Sequence, residues 1–236
     1  MAIAHEMVFL PETTSGVSLW ETGLFLLHGS GLLEDRYEVS GNRRPVDVRK
    51  ISSVLAKPGT LFFNVDGNVL SFDYGLGRGG NWYYDIRFDD ESALPELSIL
   101  DRWVTAFSDV GRLIYARLHD PVWEQWQNER QLSKFDLVGR STVGLARTWD
   151  PDFEEEAVDT TRNPGRIVDR DGYMEALGHE MWLTDDFWTV VRASPEAVRD
   201  AFVTRAVNGI VAVQLSEKPF REDNLPSENL RRVLFP

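Results

Sequence analysis

The sequence predicts an α+β fold in which an antiparallel sheet, built from hairpins, packs against helices. Two observations support this class. Segments with apolar residues at every third or fourth position are interspersed, in no regular order, with segments in which apolar residues alternate. In addition, 42% of the 236 residues are hydrophobic and 11% are aromatic, which is enough to form a large core.

Helices are predicted wherever apolar residues form a one-sided stripe. Such a stripe runs through residues 17–33, although three glycines weaken it. A clearer stripe occupies residues 44–57, where Pro45 can take the first helical position. Beyond Pro95 one long helix is expected, and its apolar face consists of Trp103, Phe107, Val110, Ile114 and Leu118.

Three further helices are predicted, two of them from capping signals. Asp120 resembles an N-cap and is followed by a proline, so a helix is expected to begin there. Ser194 and Pro195 begin a second helix, which is expected to continue to the Asn208-Gly209 stop signal. A last short helix is predicted over residues 227–234.

Strands are indicated by alternation and by turn chemistry. The runs LFFNV and VLSFDY flank Asp66-Gly67, a dipeptide that readily forms a tight hairpin turn. The runs DDFWTVVR and IVAVQL also read as strands, residues 136–149 as extended chain, and GYMEALG as a short helix or turn.

Gly75, Gly77 and Gly80 spell the G-x-G-x-x-G pattern of a dinucleotide-binding turn. That motif needs a helix immediately after the glycines, because the pyrophosphate binds at a helix N-terminus. The following run, NWYYDIRF, has strand periodicity instead. We therefore predict a loop between two strands and no bound cofactor.

The segment DPDFEEEAVD, residues 150–159, contains six acids and no base. Its composition is typical of a solvated loop or linker. It would join an N-terminal sub-domain, residues 1–149, to a C-terminal sub-domain, residues 160–236, unless the whole chain forms one domain.

Composition excludes several classes of function. The formal net charge is -13, from 38 acids against 25 lysines and arginines, and this charge would repel a nucleic-acid backbone. The absence of cysteine excludes disulfides, a thiolate nucleophile and a zinc finger. No basic segment precedes the first apolar run, and the longest apolar passage is too short to span a bilayer. We expect a soluble cytoplasmic protein that contacts neither nucleic acid nor membrane.

No catalytic constellation is evident. His179-Glu180 begins a zinc-protease motif, but Leu183 stands where the second histidine is required. Ser30 lacks the glycine two residues earlier that a hydrolase nucleophile elbow needs. The chain is predicted not to be an enzyme and to hold no metal. The alternative is a metal-assisted hydrolase that uses the acids of residues 85–91.

An acidic protein rich in aromatic residues suits the binding of a basic protein surface. Eight tryptophans are present, and Trp149, beside the acidic segment, is a candidate interface anchor. The acids would steer a positively charged partner toward it. The predicted partner-binding residues are Trp149, Asp150, Asp152, Glu154, Glu155, Glu156 and Asp159.

In the C-terminal half, the passages GYMEALG, SPEAVRDAF, NGIVAVQL and KPFREDNLPSENLRRVL follow one another in an order that resembles bacterial polymorphic-toxin immunity proteins. The similarity is to the immunity protein 52 family, and DVRKISSVLAKPGTLFFNVDGNVLSF adds a similar layout in the N-terminal half. The resemblance implies neutralisation of a type VI secretion effector, usually a nuclease with a restriction-endonuclease-like fold. A non-catalytic adaptor of a secretion system is a further alternative.

Overall fold

The computed structural model describes residues 2–32, 37–39, 63–65, 70–76, 82–88, 91–151 and 154–236. The predicted helix at residues 44–57 and the Asp66-Gly67 turn lie outside these ranges. The helices are α1 (Gly16–Gly29), α2 (Leu97–Ser108), α3 (Pro121–Asn128), α4 (Leu132–Leu137), α5 (Asp185–Val191), α6 (Pro195–Ala201) and α7 (Glu228–Leu234), with a 3-10 turn at Glu91–Ala93.

The strands are β1 (Ile3–Phe9), β2 (Tyr37–Val39), β3 (Phe63–Val65), β4 (Leu70–Leu76), β5 (Trp82–Phe88), β6 (Leu113–His119), β7 (Arg147–Asp150), β8 (Glu155–Val158), β9 (Val168–Arg170), β10 (Tyr173–Glu175), β11 (Glu180–Leu183), β12 (Val203–Val207) and β13 (Ile210–Gln214). Among the described residues, nine strands form one sheet in the order β12-β13-β11-β6-β1-β5-β4-β3-β2. Every pairing in it is antiparallel, which confirms the predicted α+β class. Strands from both sides of residues 150–159 belong to it, since β6 pairs with β11.

Helices cover both faces of the sheet at its central strands. On one face, α1 and α2 pack Trp20, Trp103 and Phe107 against β1, β5 and β6. On the other face, α5, α6 and α7 cover β6, β11 and β13, with Phe187 and Leu234 in the core. Each face therefore has its own hydrophobic cluster, and the strands between them read as nearly continuous apolar runs.

Helix α1 confirms the helix predicted within residues 17–33, and its packing shows why one of the glycines is needed. A side-chain Cβ at Gly23 would lie 1.7 Å from the hydroxyl oxygen of Tyr84 on β5. Glycine therefore allows the helix to approach the sheet closely, at the usual cost in helix propensity. The helix begins at Ser15, whose Oγ accepts a hydrogen bond from the Ser18 amide at 3.2 Å.

The glycine-rich motif joins two strands, as predicted. Strand β4 contains Gly75, and it pairs antiparallel with β5 from Leu70↔Phe88 to Leu76↔Trp82. The element that follows the motif is thus β5 rather than a helix. The β3–β4 pairing likewise confirms the two strands predicted around Asp66-Gly67.

The prediction of one long helix beyond Pro95 was wrong in its second half. Helix α2 ends at Ser108, and residues 113–119 form β6, which is buried at all seven positions. A strand that is buried on both faces shows no alternation of apolar and polar residues. Ile114 and Leu118 are four residues apart, a spacing that also fits the apolar face of a helix. Gly111 marks the break, because a Cβ there would lie 2.7 Å from the Cβ of Thr14.

The segment DDFWTVVR forms α5 and not the predicted strand. Phe187 and Val191, one helical turn apart, are its buried residues, while Asp185 and Asp186 occupy its first turn, where carboxylates are favourable. The β-branched and aromatic content suggested a strand, but packing against the sheet selected a helix. The helix stops at Arg192, which adopts a positive φ of 57°.

The helix that begins after Ser194 ends earlier than expected. Residues 195–201 form α6, and the chain then enters β12. Asn208 and Gly209, with φ of 48° and 87°, are the two-residue turn of the β12–β13 hairpin and not a helix stop. Strand β13 confirms the prediction for IVAVQL.

The remaining elements divide between confirmation and correction. Asp120 caps α3 as predicted, accepting hydrogen bonds from the amides of Val122 and Trp123 at 3.0 and 2.9 Å. Ser227 caps the predicted last helix. GYMEALG contains β10, however, and residues 136–149 are extended only from Arg147 onward, since α4 includes Asp136 and Leu137. In the described part of the chain, no helix is both long and apolar enough to cross a membrane.

Candidate partner-binding site

The acidic segment predicted as a loop or linker is mostly a β-hairpin. Strand β7 pairs antiparallel with β8, and Trp149 lies directly opposite Glu156. Directly opposed residues project from the same face of a hairpin. The tryptophan and this glutamate are therefore neighbours on one surface, which we call the hairpin face.

The opposite side of the hairpin is attached to the protein. Ala157, on this side, is buried, and the amide of Val158 donates a 2.9 Å hydrogen bond to the carbonyl of Arg130. Asp150 is only 3% exposed, and its Oδ2 lies 3.0 Å from Nη2 of Arg130. Buried apolar residues and a shielded ion pair explain why so acidic a segment is folded and not a solvated linker.

The predicted partner-binding residues consequently separate into different roles. Trp149 is 64% exposed, and Glu154, Glu155 and Glu156 are exposed too. Glu156 shares the face of Trp149, whereas Glu155 stands opposite Asp150 on the other side of the hairpin. Asp159 accepts hydrogen bonds from the side chain and amide of Thr161 at 2.7 and 3.0 Å, and these bonds lower its pKa. Asp150 holds the hairpin from within, and Asp152 lies outside the described residues. The structure thus leaves Trp149 and Glu156 together on the hairpin face, with Glu154 and Glu155 exposed nearby in the chain.

Sequence reasoning missed three apolar side chains near this hairpin. Leu137 is 85% exposed, Val138 59% and Val143 93%. Leu137 is the last residue of α4, and Val138 and Val143 follow it in the run LVGRSTVG, which combines apolar residues with turn residues. No pattern in this run distinguishes the three from apolar residues that are buried, so the sequence offered no signal for them.

A buried charge network lies at the centre of the sheet. The guanidinium of Arg117, on β6, is fully buried and donates to Glu6 on β1 at 2.8 Å and to Glu124 on α3 at 2.9 Å. It also donates to the carbonyl oxygen of Leu177 at 3.0 Å. Burial acts to lower the pKa of Arg117, but the charges of Glu124 and Glu6 hold it well above its usual value. The network ties α3, which precedes the hairpin, to the middle of the sheet.

The acids invoked for a metal-assisted hydrolase are dispersed. Asp85, on β5, is buried and receives a 2.7 Å hydrogen bond from Nε of Arg87. Burial raises its pKa to about 7, while the Arg87 charge opposes the rise. Glu91 is exposed, and its carboxylate is 3.8 Å from Arg221. Asp89 and Asp90 lie outside the described residues, and within those residues no three histidines or acids are grouped to hold a metal ion.

A cleft of about 460 Å³ lies at the N-terminal end of β6, beside Arg112 and Leu113. The C-terminal end of α2, the first turn of α5 and the Asn208-Gly209 turn surround it. Across it, Nε of Arg112 donates to Asp186 at 3.1 Å. None of the predicted partner-binding residues lines this cleft, so the cleft and the hairpin face are separate features.

Comparison with known proteins shows the fold. The chain is similar in structure to a solved protein described as "Pseudomonas aeruginosa T6SS protein PA0821", with a TM-score of 0.52 and 11% sequence identity over 99% of this chain and 73% of that one. No protein-family model and no curated protein sequence matches the chain. The resemblance to the immunity protein 52 family therefore stays a prediction.

Proposed function

We propose that this protein is an immunity protein that binds and neutralises a cognate toxin of a type VI secretion system. The toxin is a nuclease, of the restriction-endonuclease-like class that the sequence resemblance implies. Inhibition is stoichiometric and non-catalytic, and it takes place in the cytoplasm of the cell that makes both proteins. Neither metal nor cofactor takes part.

The observation that carries this proposal is the hairpin face. Trp149 is 64% exposed on the same face as Glu156. Glu154 and Glu155 are also exposed, and these three glutamates form no ion pair with any described residue. Large exposed aromatic side chains are costly in an isolated protein and are enriched at interfaces. A rigid strand pair holds this one in place, so little ordering is needed on binding.

The charge of the protein favours a basic partner. With a net charge of -13, the chain attracts a protein whose own substrate groove is positive, as that of a nuclease must be. Electrostatic steering accelerates such associations and competes with the nucleic-acid backbone for the same groove.

The structural neighbour supports the proposed association with a type VI secretion system. Its printed description associates that protein with a type VI secretion system, and this chain matches it along 99% of its own length. At 11% identity the match is one of fold, and the toxin-neutralising role comes from the hairpin face and the sequence resemblance.

The test is inhibition of the toxin encoded beside this gene. The purified C-terminal domain of that toxin is mixed with increasing amounts of this protein, and nuclease activity is followed. We expect activity to end at a one-to-one ratio. Full activity at a large excess of this protein would refute the proposal, and copurification with secretion-apparatus components in the absence of toxin would indicate an adaptor.

The hydrolase alternative is separated by calorimetric titration with Mg²⁺, Mn²⁺ and Zn²⁺. We expect no binding heat. Micromolar binding that disappears in the Asp89→Asn/Asp90→Asn double variant would replace the immunity proposal with the hydrolase.

A further inference from the structure

Three exposed apolar side chains lie in one short segment next to the hairpin. Leu137, Val138 and Val143 are 85%, 59% and 93% exposed, and we call them the apolar ridge. Together with Trp149 they place four large exposed apolar residues within thirteen positions of the chain. Scattered apolar residues are normal at a protein surface, but a local concentration of this kind marks an interaction site.

The segment that carries the ridge is hydrogen-bonded to the hairpin. Nη2 of Arg147 donates a 2.9 Å hydrogen bond to Oγ1 of Thr142, the residue before Val143. Arg147 is two residues from Trp149 on β7, so both side chains leave the same face of the strand. The amide of Asp159, at the end of β8, also donates to the carbonyl of Ala146 at 2.9 Å. The loop of the ridge is therefore bound to β7 through Arg147, and the bond from Asp159 extends the β7–β8 ladder by one residue pair.

Backbone hydrogen bonds at the end of α4 hold the first two ridge residues in their exposed positions. Helix α4 ends with Gly139 at a φ of 66°, and the amides of Gly139 and Arg140 donate to the carbonyls of Asp136 and Phe135. This pair of bonds is a Schellman motif, which fixes the direction of the chain after a helix. Phe135 is buried against Trp126, with ring centroids 5.0 Å apart. The chain thus holds Leu137 and Val138 outward on a fixed support.

Arg140, which lies between Val138 and Val143 in the sequence, is also fixed in place. The guanidinium of Arg140 stacks over the Trp126 ring at 5.0 Å and pairs with Glu222 at 2.8 Å. This pair links the segment to the C-terminal part of the chain. A prearranged apolar surface loses little conformational entropy on binding, which favours tight association.

Resting on the proposed function, we propose that the apolar ridge is the hydrophobic centre of the toxin-binding surface, and that its occupant is an apolar patch flanked by basic residues on the toxin. Glu154, Glu155 and Glu156 would form the acidic rim that meets those basic residues. A second copy of this chain fits poorly, because it would bring an identical acidic rim and a net charge of -13 against the first.

The experiment measures the kinetics with which the Leu137→Ser/Val143→Ser variant binds the purified C-terminal domain of the adjacent-gene toxin. The matched control is Phe25→Ser, which removes a side chain that is 75% exposed on α1, away from the hairpin. We expect dissociation of the ridge variant to be at least about tenfold faster than for the unaltered protein, because fully desolvated apolar contacts at an interface centre dominate dissociation. The control should dissociate at the unaltered rate. Melting temperatures of both variants should remain unchanged, since the substituted side chains are exposed.

The outcomes separate the two proposals. Toxin binding by the unaltered protein with equal dissociation rates for ridge variant and control would overturn the apolar ridge and leave the immunity function standing. Absence of toxin binding by the unaltered protein would overturn both. Sedimentation showing a dimer that the ridge variant dissociates would assign the ridge to self-association and overturn its role in toxin binding.

Discussion

Trp149 and Glu156 stand directly opposite each other across β7 and β8, so that an exposed aromatic ring and an exposed carboxylate share one face of a rigid hairpin. The pair brings two different contributions to binding into contact. Carboxylates act at long range and mainly set how fast a basic partner arrives, whereas an apolar ring acts at contact and mainly sets how long it stays. The two contributions can be measured separately.

Glu154, Glu155 and Glu156 are expected to control association. Replacing all three by Gln should slow binding of the toxin domain and flatten its salt dependence, because exposed charges are screened beyond about 8 Å at physiological ionic strength. The dissociation rate should change little. Stopped-flow kinetics at several salt concentrations provide the measurement.

A charge-matched control variant carries Glu21→Gln, Glu96→Gln and Glu217→Gln, which lie elsewhere on the surface and are also exposed. It has the same net charge as the hairpin variant. Equal slowing in the two variants would show that total charge steers the toxin and that the position of the acids does not matter.

Trp149 is expected to control dissociation. Its replacement by Ala should accelerate toxin release, with a loss of about 2 kcal/mol or more of binding free energy if the ring is an interface hot spot. Because the ring is 64% exposed, the free energy of unfolding should change by less than about 0.5 kcal/mol. Urea unfolding of the variant checks this. A loss of stability of about 3–5 kcal/mol, typical of a truncated core aromatic, would contradict the exposed position of the ring.

Local sequence signals predicted the elements that they determine directly. The N-cap signal at Asp120 correctly predicted the start of α3, and the strand periodicity after the glycine motif correctly predicted β5. These features depend on a few neighbouring residues. Packing between distant residues has no part in them, so the sequence alone sufficed.

The errors arose where tertiary contacts decide the structure. Strand β6 is covered on both faces, which removed the alternation that identifies a strand, and α5 forms because Phe187 and Val191 pack on the sheet. Burial of Asp150 and Ala157 turned an apparent acidic linker into a hairpin. The sequence grouped Trp149 with Glu154, Glu155 and Glu156, but only the strand register shows that Glu156 shares its face. Leu137, Val138 and Val143 are revealed only by their exposure in the fold.

Arg117 is expected to be essential for stability. Its replacement by Met leaves Glu6 and Glu124 in a shielded site without their cation, and breaking a buried pair in this way costs about 3–5 kcal/mol of unfolding free energy. Urea denaturation at neutral pH measures the loss. The control is Arg112→Met, whose ion pair with Asp186 is exposed and which should change stability little.

A triple variant tests whether uncompensated charge causes this loss of stability. Adding Glu6→Gln and Glu124→Gln to Arg117→Met removes the uncompensated charges, and part of the lost stability should return. No recovery would show that Arg117 contributes through packing and not through charge neutralisation.

His5 is expected to make the fold sensitive to acid. The ring is fully buried, with Trp182 at a centroid distance of 5.2 Å, and burial lowers its pKa from 6.5 to about 3. Between pH 6.5 and 3 the unfolded chain binds a proton there that the folded protein excludes, so stability is lost as the pH falls through this range. His5→Phe should reduce that loss by up to about 1.4 kcal/mol per pH unit.

Urea unfolding of the unaltered protein and His5→Phe at pH 7, 6 and 5 measures the difference in slope. Some acid sensitivity should remain in the variant, because burial also lowers the pKa of His179, to about 4. Parallel stability curves for the two proteins would mean that His5 is protonated in the folded state as readily as in the unfolded chain.

Asp85 is expected to have the opposite effect on the pH dependence of stability. Burial raises its pKa from 3.8 to about 7, so between these values the folded protein holds a proton that the unfolded chain releases. Asp85 therefore costs stability increasingly as the pH rises from about 4 to 7, and the cost is constant above that range. Relative to the unaltered protein, Asp85→Asn should gain stability across this interval by up to about 1.4 kcal/mol per pH unit. Differences in unfolding free energy measured at pH 5, 6, 7 and 8 should grow and then level off, whereas a constant difference would show that the Arg87 ion pair keeps this carboxylate charged throughout.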